Sequence, residues 1–225
     1  MNKLFFSLLT GAFVLLGGCA SVNNGGGNNN NNNNGGNTTL IDASFSIDLS
    51  QVPGYDSTDP INDQYLAVIN YLRGLNVKCD DPSGLFGPVG IDMQWENHVA
   101  AAAREHSEDM KKSVWYDHDG SGTANDITGQ SFTPSRKSTF DERIKYNGYV
   151  GSIMAENIAT MWSKPNPPAN NAWVTVMEGW MKSDHGHCSN IMNPSLTDFG
   201  MYESRAAVDA NGEYHVYWTQ DFGGQ

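Results

Sequence analysis

Residues 180 to 194 read W-M-K-S-D-H-G-H-C-S-N-I-M-N-P, with His185 and His187 on either side of one glycine and Cys188 directly after. Two imidazoles and a thiolate can ligate a divalent cation, a cysteine beside a histidine can act as a nucleophile, and a cysteine can equally close a disulfide next to unrelated histidines. The rest of the chain has to decide between them. Of the six histidines, His106 falls on the apolar stripe of a predicted helix and His215 on a strand face. Both read as packed, hydrogen-bonded side chains, while His98 lies on an outer helix face. His118, Glu156 and His187 fall at the ends of predicted elements, where sites are usually assembled. Two imidazoles can hold a divalent cation such as zinc, and a nearby carboxylate can bind the metal or serve as a base. Spacing alone does not bring these three together.

Several chemistries are excluded. There is no G-x-S-x-G, no H-E-x-x-H and no glycine-rich phosphate loop. D-H-D-G-S-G-T-A-N-D (117–126) has the start of a calcium loop, with Asp117, Asp119, Ser121 and Gly122 in register. Its twelfth position is Thr128, so the bidentate glutamate is missing and the stretch reads as a polar turn. The formal charge of −12 repels phosphate backbones and argues against nucleic acid as a partner.

The N-terminus bears on compartment. A basic start at Lys3, an apolar run from Leu4 to Leu16 too short for a transmembrane span, and Gly17-Gly18-Cys19 follow in order. This resembles the lipobox of bacterial lipoproteins. The resemblance implies a signal peptide over residues 1–18, removed to leave an acylated Cys19 whose acyl chains anchor the protein in a membrane. The Asn/Gly-rich run that follows completes a flexible tether over residues 19–40, and one domain of ordinary size occupies residues 41–225. Of the three cysteines, the lipobox consumes Cys19. Cys79 and Cys188 remain as an even pair in an oxidising compartment and read as a disulfide, which removes Cys188 from the list of metal thiolates.

The elements that must position these residues are read from periodicity. Tyr65, Ile69 and Leu72 are helically spaced, with Gly74 as a stop. Val99, Ala103, His106 and Met110 form one stripe of the strongest helix, Trp95 to Lys112. Ser138-Thr139 followed by Asp141-Glu142 is a capping-box pattern opening a short helix to Tyr146. Ile153 to Thr160 is a short apolar segment interrupted by Glu156-Asn157. Asn171 is a predicted cap for a helix carrying Trp173, Met177 and Trp180. Phe199–Val208 and Tyr214–Phe222 alternate as the strands of a hairpin. Helices followed by antiparallel strands predict an α+β layered domain.

Six short motifs occur in order: H-S-E-D-M (106–110), Y-D-H-D-G (116–120), R-I-K-Y-N-G-Y (143–149), A-E-N-I-A (155–159), G-W-M-K-S-D-H-G-H-C-S-N-I-M (179–192) and Y-W-T-Q-D-F-G (217–223). Together they resemble the bacterial branch of the CAP superfamily, or SCP domain, of cysteine-rich secretory, antigen 5 and pathogenesis-related 1 proteins. The resemblance covers about residues 61 to 223. It implies a three-layer α-β-α sandwich with a central antiparallel sheet, and a cleft where two histidines and two acids meet. By motif these are His118, Glu156 and His187, and the position of the second acid falls near Ser183. The family pattern also pairs Cys79 with Cys188. His185 has no counterpart in the pattern. The implied function is an envelope lipoprotein displaying a binding module for a lipid, glycan or protein. It requires no cofactor, although His118 and His187 could take a zinc-like cation. A metal-dependent hydrolase or peptidase with Glu156 as base is the alternative, and the missing second acid favours binding. Ala20 after Cys19 is not aspartate, which points to the outer rather than the inner membrane.

Overall fold

The computed structural model describes residues 38–85 and 87–225, together with the backbone of three short strands, β1 (Leu4–Ser7), β2 (Ala12–Leu16) and β3 (Ala20–Val22). The chain continues through β4 (Thr39–Leu40), helix α1 (Ile61–Gly74), β5 (Val77–Lys78), β6 (Gln94–Trp95), α2 (Asn97–Ser113), α3 (Ile127–Ser131) and α4 (Phe140–Tyr146). It ends with β7 (Ile153–Ser163), α5 (Ala172–Met181), α6 (His187–Met192), β8 (Asp198–Arg205) and β9 (Tyr214–Gly224). The result is an α+β fold. Among the described residues no helix is long and apolar enough to cross a membrane.

The main sheet runs β1-β2-β7-β9-β8-β6, with β3 also paired to β7. Its centre is antiparallel, β7 on β9 and β9 on β8, but β6 joins β8 in parallel, so the sheet is mixed rather than purely antiparallel. That parallel pair needs no adjacent turn, because the chain from α2 to α6 lies between the two strands. A separate two-stranded ladder ties Thr39–Leu40 to Val77–Lys78.

Side chains alternate along a strand, and here both sets are buried. Ala155, Ala159 and Met161 of β7, with Val216, Trp218 and Phe222 of β9, join one cluster with residues of α1, α5 and α6. The intervening residues pack elsewhere. Met154 sits with Val99 and Ala102 of α2 and Phe140 and Ile144 of α4, while Ile158 and Tyr217 sit with Met110. Helix α2 approaches β8 so closely that a Cβ on Gly200 would lie 2.3 Å from the backbone nitrogen of Ala100. Only glycine fits that crossing.

The helix ends follow the sequence in part. Thr139 and Glu142 form the expected capping box of α4. Asn171 precedes α5 as expected but makes no side-chain capping bond. Helix α2 ends at Val114, which is held in the left-handed region at φ 50° and is 81% exposed. A β-branched residue there is strained by about 1–2 kcal/mol and its side chain gains no packing in return. Val114→Asn is therefore expected to raise stability by about 1 kcal/mol, read as a higher urea midpoint. An unchanged or lower midpoint would show that the strain is absent.

Candidate functional site

Glu156 points from β7 to the α2 and α4 side and is completely buried. Its Oε1 lies 2.7 Å from His118 Nδ1, and its Oε2 accepts from Arg143 Nη2 at 2.8 Å. His106 Nε2 lies 3.9 Å from Oε2 and donates instead to the carbonyl of Asp117 at 2.9 Å. Arg143 Nη2 also reaches the carbonyl of His118, so one guanidinium orders both the acid and the loop bearing its histidine. Across the sheet, Glu156 is registered directly opposite Asp221 of β9, which is equally buried.

The electrostatics follow from this crowding. Burial is the largest single influence and works against charge on Glu156, but Arg143, His106 and His118 together outweigh it and hold the carboxyl well below the usual carboxylate range. Asp221 is pushed well up, first by burial and then by the negative Glu156 beside it. Burial, with Arg143 nearby, lowers His106 to about 3 and keeps it neutral. With Glu156 ionised it must be the acceptor, so His118 carries its proton on Nδ1. His118 Nε2 is buried and meets no hydrogen-bonding partner among the described residues.

His187 opens α6, and the glycine between the two histidines explains their divergence. Gly186 adopts φ 90°, which reverses the chain and starts the helix. His185 stays exposed beside the Asp184 carboxylate, while His187 is 1% exposed. Its Nδ1 lies 2.7 Å from Ser183 Oγ, which also accepts from the His185 backbone N–H at 3.1 Å. Helix α6 is tied down from three directions. Cys188 is bridged to Cys79, with their Cα atoms 5.6 Å apart. Asn190 donates to Asn157 Oδ1 at 2.9 Å. The buried Arg73 of α1 donates to the carbonyls of Ile191 and Asn193 at 2.7 and 3.0 Å, satisfying the end of the helix.

The structure thus assembles two pairs, His118 with Glu156 and Ser183 with His187. They are linked through β7: Asn157 donates to the carbonyl of His187 at 3.3 Å, and Asn190 donates to that of Glu156 at 3.3 Å. His118, Glu156 and His187 do not form one group of mutually adjacent ligand atoms. Among the described residues that arrangement occurs at Asp209, Glu213 and His215 on the β8–β9 hairpin, where the three ligand atoms lie within 4.8 Å of one another. His215 is thus half-buried between two carboxylates rather than packed as its strand pattern suggests, and Lys164 occupies one Glu213 oxygen at 2.9 Å.

Sequence reasoning missed Arg143 and Asp221. A lone arginine in a helix and a lone aspartate in a strand usually read as solvated; R-I-K-Y-N-G-Y opens on Arg143 and Y-W-T-Q-D-F-G contains Asp221, but neither motif by itself shows burial. Arg143 follows a capping box by one residue, and Asp221 shares one face of β9 with Tyr217 and Thr219. The calcium-like loop is a hydrogen-bonded turn. Asp126 accepts from Gly122, Gly129 and Ser138, and Asp109 accepts from Ser121.

Residues 66–222 match the model of CAP, the cysteine-rich secretory protein family. The chain belongs to this family. Its CAP domain is also similar to uncharacterized protein YkwD of Bacillus subtilis (strain 168), with 28% identity over 134 residues, 59% of this chain and 40% of that relative. The match therefore spans less than half of the relative's own length. No solved structure gives a significant match. Within the CAP domain, the His118–Glu156 and Ser183–His187 pairs and the Cys79–Cys188 bridge all lie inside the matched span.

Proposed function

We propose that this protein is a bacterial envelope lipoprotein whose CAP domain is a binding module, using the region of His118, Glu156, Ser183 and His187 to take a lipid, glycan or protein ligand together with a divalent cation such as zinc. One observation carries the reading: Glu156 fixes the proton of His118 on Nδ1 and leaves its buried Nε2 without a partner among the described residues. A carboxylate behind an imidazole is the arrangement that orients a metal-ligating histidine. Ser183 stands behind His187 in the same relation. A bound cation would supply Lewis acidity and charge at these imidazoles. Binding is favoured over hydrolysis because Glu156 already accepts from Arg143 and His118, which leaves it a poor base. The three-layer α-β-α arrangement is supported by the alternation of buried residues on β7 and β9.

Calorimetric titration of zinc tests the reading. The wild type should bind, His118→Ala and His187→Ala should each abolish binding, and His185→Ala should leave it nearly intact. Equal loss with His185→Ala would relocate the site to the H-G-H turn, and silence from the wild type would remove the cation from the proposal.

The anchor is a separate matter. Cys19 lies outside the described residues, and the reading there rests on the lipobox pattern. It places the protein in the outer membrane, on a tether of Asn and Gly. Cys19→Ser should shift the protein from the membrane to the soluble fraction, and a variant still sedimenting with membranes would sink the lipoprotein reading.

A further inference from the structure

Two carboxyl groups face each other across the β7–β9 ladder, Glu156 and Asp221, and neither has any exposure. Like charges directly opposite in an antiparallel pair repel at close range, and burial removes the water that would screen them. Arg143 supplies one cation and gives its Nη2 to Glu156. Asp221 receives no N–H or O–H from any described residue on either oxygen. Glu105 of α2 adds a further negative charge nearby, and His106 on the same helix is neutral. Any hydrogen bond between Asp221 and the Glu156 carboxyl registered opposite it therefore needs a proton from within the pair. Glu156, already accepting from Arg143 and His118, is its acceptor.

We propose that Asp221 is the second acid of this site: it remains a carboxylic acid, donates its proton to Glu156, and so acts as a positioning residue that holds the Glu156 carboxylate against His118 Nδ1. The acid missing at Ser183 is thereby replaced from behind, by a group that never meets the ligand. The step is one hydrogen bond, O–H to carboxylate, and no charge is created. Its role toward the cation rests on the metal-binding reading above, whereas the protonation of Asp221 does not.

Two measurements on the full chain decide it. The infrared spectrum of the wild type at neutral pH should contain a protonated-carboxyl C=O band that disappears in Asp221→Asn. A wild type without the band, or a band that persists in the variant, overturns the proposal. In zinc titrations Asp221→Asn, which keeps a donor toward Glu156, should stay within about threefold of the wild type, whereas Asp221→Leu should lose about 10–100-fold. Equal affinities for the two variants overturn the positioning role. If Asp221→Leu does not fold, the Asn variant carries the test alone, and a loss beyond that threefold range overturns the role. If the wild type binds no zinc, the cation reading fails while the infrared band still decides the state of Asp221.

Discussion

Arg143→Met should destabilise the domain by about 3–5 kcal/mol, because it strips the counter-ion from a fully buried carboxylate. Arg143 and Glu156 are 1% and 0% exposed, so solvent cannot replace the lost partner. Adding Glu156→Gln to Arg143→Met should recover much of the loss, since a buried amide carries no charge to compensate. Acid should narrow the gap too. In the wild type Glu156 titrates below its ordinary 4.5, so its contribution is present above that pH and is lost as pH falls through the lowered value. Without Arg143, burial meets opposition only from the neighbouring histidines, the folded-state value of Glu156 rises, and the variant loses less than the wild type as pH falls. Urea unfolding at neutral and acid pH measures both. A single substitution costing under about 1 kcal/mol would mean that the pair is solvated.

Removing the Cys79–Cys188 bridge is the second large effect. It spans 109 residues, and chain entropy assigns a loop of that length up to about 4–5 kcal/mol. Either Cys79→Ser or Cys188→Ser should lower the urea midpoint accordingly, and thiol titration of unfolded wild type should find neither residue reactive before reduction. A reactive thiol at either position would show that the bridge does not form. The loss should be felt locally as well, since Cys188 adjoins His187 and only hydrogen bonds, those of Arg73 and Asn190 among them, would then hold α6.

The legible parts of the fold were those with strong local periodicity. Helices α1 and α2 repeat their apolar residues at fixed intervals, the capping box of α4 is a local four-residue pattern, and the β8–β9 hairpin alternates about a turn. Strand β7 was harder to see. Its apolar run is broken by Glu156 and Asn157, which are acceptable in a buried strand only because Arg143 and His118 meet the first and Asn190 and Gln220 meet the second. Those partners come from four other segments. Helix α6 is too short to show a period, and tertiary ties hold it in place. His118, Glu156 and His187 could be singled out as ionisable residues at the ends of predicted elements, although Glu156 lies inside β7 and His187 opens α6. Their pairing could not, because it depends on Arg143 and Ser183, whose roles are set by burial and by the Gly186 reversal.

Glu156 and Asn157 are neighbours that serve opposite faces of one sheet: the first anchors the Arg143 cluster, the second anchors α6. Side-chain direction along a strand has a period of two, so slipping β7 by one residue turns each to the other face. Slipped one way, an amide replaces the carboxylate opposite Arg143; slipped the other way, a carboxylate replaces the amide opposite Asn190. Both halves of the site would fail from a single event. Strand β7 is thus closed to change in the number of its residues, and drift in this protein has no room for insertion or deletion there.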